Sequence, residues 1–129
     1  MPLSNARKSS PTQVFEAVRT VGLALPGVVD GTAYGAPALK TAGRIVACVP
    51  TSKSAEANSL VVHIDLEHRA ELLRQDPGVY YITDHYAPYP TVLVRLSKIS
   101  RADLEGLLRD ACRHVASLTK KAARKTKKR

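Results

Sequence analysis

The chain has no tryptophan, one phenylalanine and one methionine among its 129 residues. Aliphatic side chains and the five tyrosines must therefore fill whatever core it builds. Cysteine is scarce too. Cys48 and Cys112 lie 64 positions apart in apolar surroundings. They make neither a disulfide framework nor a metal-ligand spacing, so buried free thiols in a reducing cytosol are expected, with no metal or cofactor. No apolar run approaches the ~20 residues that a membrane-spanning helix needs. The longest uncharged stretch, 20–29, is interrupted by Gly22, Pro26 and Gly27. The first residues carry no hydrophobic segment of signal-peptide type, which predicts a cytoplasmic protein. These absences exclude an α-helical membrane protein, a secreted disulfide scaffold, a zinc finger and a collagen-like chain. What remains, at 44% hydrophobic and 24% charged residues, is the composition of one ordinary globular domain.

Charge is abundant and uneven. The formal net charge is +9, from 20 Lys and Arg against 11 Asp and Glu. Residues 119–129 hold seven of the positive charges and no acid: Lys120, Lys121, Arg124, Lys125, Lys127, Lys128 and Arg129. Arg7 and Lys8 add two near the other end. Setting those nine aside leaves 11 basic residues to balance 11 acidic ones, so the middle of the chain is neutral.

Three segments follow: a flexible N-terminal stretch over 1–11, an ordered domain over 12–118, and a basic, mobile tail over 119–129. Val14, Phe15, Val18, Val21 and Leu25 recur at helical spacing behind Thr12 as an N-cap, and Pro26 ends that helix. Residues 38–41 and 44–49 flank Ala42-Gly43 and read as a hairpin. Residues 50–59 are polar and unpatterned, a surface loop. Residues 60–64 are strand-like, and Asp65 is placed to cap a helix over 66–75. Two further strands, 79–83 and 91–96, flank the loop 84–90. A last helix opens at Ser100 and buries Leu104, Leu107, Leu108, Ala111, Val115 and Leu118. Beyond Leu118 no large apolar anchor remains, which predicts fraying. Helix, strands, helix, strands and helix in that order specify an α+β domain, an antiparallel sheet carrying its helices on one face.

Two stretches carry a resemblance. One is Leu25-Pro26-Gly27-Val28-Val29-Asp30-Gly31-Thr32-Ala33-Tyr34-Gly35-Ala36-Pro37-Ala38 with the hairpin that ends in Arg44. The other runs from Asp76-Pro77-Gly78-Val79-Tyr80-Tyr81-Ile82-Thr83 through His85-Tyr86 and Tyr89-Pro90 to Val92-Leu93-Val94-Arg95-Leu96. Together with the closing amphipathic helix they resemble the MmcQ/YjbR family of small bacterial proteins. Leu39 stands where that family often has an aromatic residue, and Cys112 where a tryptophan is common. The resemblance implies a two-layer CyaY-like fold and a DNA-binding role. It implies no catalytic set.

Two groups of residues could carry function. The basic run 120–129 would neutralise phosphates and release counterions without reading sequence; otherwise it is a solubilising tail. The second group lies in and around Tyr80, Tyr81, His85, Tyr86 and Tyr89. Exposed rings there, with Tyr34 and Arg95, would line a cleft for a base or a small planar ligand. Alternatively the tyrosines pack inward, which a chain so poor in other aromatics favours. Gly27, Gly31 and Gly35 fit no phosphate-loop pattern. His63, Asp65 and His68 lack a convergent third metal ligand. Asp84-His85 has no nucleophile motif beside it. The expected function is thus a non-enzymatic DNA-binding protein. A ligand- or protein-binding module is the alternative, and an enzyme using His85 a distant third.

Overall fold

Every strand except the first alternates or runs apolar, and the sheet these strands build has two unequal faces. A computed structural model describes residues 11–127, with side chains for 15–118. The elements are α1 (Pro11–Leu23), β1 (Val29–Ala33), β2 (Ala36–Thr41), β3 (Arg44–Cys48), β4 (Ser59–His63), α2 (Leu66–Gln75), β5 (Tyr80–Tyr81), β6 (Thr91–Arg95) and α3 (Arg101–Lys127). The six strands form one antiparallel sheet in the order β1-β2-β3-β4-β6-β5. All three helices pack on one face, as the element order predicts. Among the described residues no helix is long and apolar enough to cross a membrane.

Period-two alternation separates the two faces. Leu60 and Val62 of β4, with Val92 and Val94 of β6, point to the helices. They meet Phe15, Val18 and Val21 of α1 and Leu104, Leu107, Leu108, Ala111 and Val115 of α3. Between them Val61 and Leu93 point the other way, joining Ala33, Ala38 and Cys48 in a smaller cluster that the helices do not cover.

Local signals set the boundaries. The Asp65 side chain accepts from the His68 amide at 2.7 Å and starts α2. The Ser100 hydroxyl accepts from the Asp103 amide at 3.1 Å and starts α3. Ala42 and Gly43 both have positive φ, 53° and 75°, which matches the twist of the hairpin they close.

Four expectations need correction. Helix α1 begins at Pro11, so Thr12 lies inside it rather than capping it; proline suits the first helical turn, where its missing N–H has no partner to lose. Strand β5 is only Tyr80–Tyr81, because the amides of Tyr86 and Ala87 both bond the Thr83 carbonyl, at 3.0 and 2.9 Å, and turn the chain away. Val29–Ala33 forms a fifth long strand that the glycine-rich spacing concealed. Helix α3 continues past Leu118 to Lys127: lysine, alanine and arginine are good helix formers, and extending a nucleated helix needs no apolar anchor. The segment 1–10, Lys128 and Arg129 lie outside the described residues, as do the side chains of Lys120, Lys121, Arg124, Lys125 and Lys127.

Candidate binding cleft on the open face of the sheet

The uncovered cluster forms the floor of a cleft of about 530 Å³, with Cys48 and Val61 at its base. Two connections raise its walls. The first is the β1–β2 turn, where Tyr34 (φ 55°) and Gly35 (φ 79°) close a two-residue hairpin between Ala33 and Ala36. Tyr34 is 84% exposed. The second is the loop between β5 and β6, which brings His85, Tyr86 and Tyr89 to the cleft. Arg44 at the start of β3 and His63 at the end of β4 also line it, as does Leu118 of α3.

The loop is held rather than loose. Arg69 of α2 donates to two of its carbonyls, Tyr89 at 3.0 Å and Ala87 at 3.2 Å, and to that of Thr91 at the start of β6 at 3.1 Å. The Ile64 amide bonds the Pro90 carbonyl at 3.0 Å, and the Thr91 hydroxyl donates to the Tyr86 carbonyl at 3.3 Å. Tyr86 is half-buried, its ring edge-on to His85 at 4.7 Å, and its hydroxyl accepts from the Ser52 amide. Tyr89 stands at the rim, 56% exposed.

Four of the five residues expected at a cleft are therefore brought together: Tyr34, His85, Tyr86 and Tyr89. Arg95 is not among them. Its guanidinium makes a two-pronged pair with Glu56 (2.9 and 2.8 Å) and donates to the carbonyls of Pro77 and Gly78. It also lies over the Tyr81 ring at 4.3 Å. All its donor groups are engaged away from the cleft, and its bond to Glu56 holds that carboxyl below the ordinary range. Inward packing accounts for Tyr80, which is buried, and Tyr81, whose hydroxyl meets Ser59 and the Glu56 amide. Sequence reasoning missed Arg44, which lines the cleft, and Arg69, which positions its loop. His63 was visible two places after Val61 on the same strand face.

Burial pushes the Cys48 thiol up to about 11, so it stays protonated at neutral pH. Among the described residues no three His, Cys, Asp or Glu side chains are grouped to hold a metal. His68 Nε2 lies 3.7 Å from Asp110. The four-residue step from Asp110 brings His114 to the same side of α3.

No protein-family model matches the chain. Its structure is similar to the crystal structure of protein DR2400 of Deinococcus radiodurans, a DUF419 domain, with a TM-score of 0.59. That match covers 81% of this chain and 79% of the other, at 22% identity. The two share a fold. Over 40 residues the chain is 50% identical to the uncharacterised proteins Rv2570 of Mycobacterium tuberculosis and Mb2600 of Mycobacterium bovis. The matched stretch spans 31% of this chain and 31% of each of those relatives.

The histidines near the cleft make stability pH-dependent. Burial lowers the His63 pKa, with His114 nearby adding to the effect. Burial also lowers that of His114, opposed by Asp65. The unfolded chain therefore takes up protons first as pH falls below about 6.5, the ordinary histidine value. Stability should be full above about pH 7.5 and decline toward pH 5.5, still above the carboxylate range. Thermal melts at the two pH values check this. A lower melting temperature at pH 5.5, with the difference reduced in His63→Gln, is expected. A higher one would contradict the assignment.

Proposed function

We propose that this chain is a non-enzymatic nucleic-acid-binding protein of the MmcQ/YjbR type, the family of the DUF419 domain. DNA is its expected partner and the cytoplasm its place of action. One observation carries the reading. The aromatic cleft, with Arg44 in its wall, runs up to Leu118 of α3. The basic run Lys120, Lys121, Arg124, Lys125 and Lys127 follows directly on the same helix. Phosphates tracked by that run would thus lead a strand toward the rings. The raised Cys48 thiol argues against thiolate chemistry in the cleft, and His85 has no nucleophile motif to serve.

Salt dependence tests the reading. If three or four of those cations meet phosphates, log K against log[salt] should fall with a slope of roughly −3. Changing Lys120, Lys121, Arg124 and Lys125 together to glutamine should remove most of that slope. Fluorescence anisotropy with labelled DNA between 50 and 200 mM salt would measure both. A salt-independent affinity, or equal slopes for the two proteins, would overturn the phosphate role. Retained binding of a small planar ligand by the neutralised protein would favour the ligand-binding alternative.

A further inference from the structure

We infer that the cleft seats an unpaired nucleobase, so that the nucleic acid this chain prefers is single-stranded; the inference rests on the nucleic-acid reading above. Three observations converge on it.

The first is charge. Among the described residues the lining contains Arg44, His63 and His85 but no aspartate or glutamate. The chain's acidic residues lie elsewhere, several of them in ion pairs such as Glu56–Arg95 and Asp30–Arg19. A cleft walled by rings and by Arg44, with no carboxylate among its described residues, suits an aromatic ligand that carries negative charge.

The second is size and access. A volume of about 530 Å³ falls within the ~300–1,000 Å³ of small-molecule and cofactor sites. It admits one nucleoside. A base in a duplex reaches such a cleft only by leaving its stack, which is costly, whereas an unpaired base enters freely.

The third is Tyr34. Its φ of 55° lies in the left-handed region, where hairpin turns favour glycine, asparagine and aspartate; Ala42, at 53° in the β2–β3 turn, shares it. For a bulky side chain that conformation is unfavourable. Its ring is 84% exposed, so no packing within the fold offsets the strain. A turn alone would be served better by asparagine. A strained, solvent-facing tyrosine lining the same cleft as Tyr89, itself 56% exposed, is what a stacking platform requires.

The test compares a labelled 12-nucleotide single strand, its duplex and free AMP with the full-length protein at one salt concentration. The single strand should bind at least tenfold more tightly than the duplex, and more tightly than AMP. Tyr89→Ala should weaken single-strand binding about 5- to 150-fold, the range of one lost stack, and leave duplex binding within twofold. Tyr34→Asn should weaken it similarly while holding or raising the melting temperature, an outcome that a structural role for the ring does not produce. Tyr34→Phe should bind as the unaltered protein does. Equal affinity for strand and duplex with no effect of either tyrosine variant would overturn this inference, while a persisting salt slope would leave the phosphate reading intact. Loss of all nucleic-acid binding would overturn both. AMP binding as tight as the strand would overturn the strand in favour of a free nucleotide. A dimer dispersed by Tyr34→Asn would overturn it in favour of a second copy of this chain.

Discussion

Arg69→Ala is expected to destabilise the protein by about 2–4 kcal/mol and to weaken every ligand of the cleft. Arg69 is half-buried and its guanidinium donates to three carbonyls, those of Ala87 and Tyr89 in the loop and of Thr91 where β6 begins. Hydrogen bonds from a charged donor contribute ~1.5–3 kcal/mol each. The sum falls short of three times that figure because the loop borders solvent and its carbonyls can bind water once freed. The loop would still keep the Ile64–Pro90 bond and the Thr91 hydroxyl bond. Those fix Pro90 and Tyr86, whereas the carbonyls of Ala87 and Tyr89 would lose their ties to α2, so Tyr89 would be held less firmly. Arg69→Lys should recover less than half of the loss, since one ammonium cannot reproduce a planar fork that spans three acceptors. Denaturant unfolding of the two variants, beside their single-strand affinities, would check this. A stability change under ~0.5 kcal/mol for the alanine variant would mean the loop holds itself.

Arg69 also marks the limit of what the sequence disclosed. The helix that bears it was legible to the residue, because Asp65, the helical spacing and Asp76-Pro77-Gly78 are all local signals. Its partners lie 18 to 22 positions along the chain, and no local pattern reports such a contact. The same holds for Arg95. Read beside Tyr80, Tyr81 and Tyr86 it looked available to a ligand. Its nearest anion is Glu56, 39 positions away in a loop without pattern. The tyrosine loop itself was readable as a candidate because its rings and prolines are crowded into a few residues. Strand β1 escaped notice for a physical reason: it is an edge strand that is largely exposed, so neither of its faces shows alternation. Helix α3 was misjudged at its end because burial and helicity were treated as one property. The stripe from Leu104 to Val115 reports burial; the helix continues through Lys, Ala and Arg, which are good helix formers.

The core offers a prediction in which two substitutions should correct each other. Gly22 is buried in α1, and a Cβ built there would lie 2.3 Å from Cδ1 of Leu39 and 3.7 Å from Cδ1 of Leu108. Leu39 is 1% exposed and belongs to the main core cluster. The methyl that Gly22 lacks is thus replaced by the tip of Leu39, which lets α1 lie close to β2. Leu39→Ala alone should cost ~2–5 kcal/mol, the lost burial plus the cavity left behind. Gly22→Ala alone should cost ~1–3 kcal/mol, because overpacking against a fully buried leucine exceeds the gain in helix propensity of about 1 kcal/mol. In the double variant the new methyl enters the space that Leu39 vacates. The clash disappears, part of the cavity is filled, and the helix gains its alanine. The double variant should therefore be no less stable than Leu39→Ala, with a coupling of at least ~1 kcal/mol between the sites. A side chain reaching into the notch of a helical glycine must be narrow at its tip, as that of Leu39 is. Equilibrium unfolding of the three variants closes the cycle. Additive losses would show that α1 shifts to absorb the methyl, and that the fit between Gly22 and Leu39 does not set the spacing of helix and sheet.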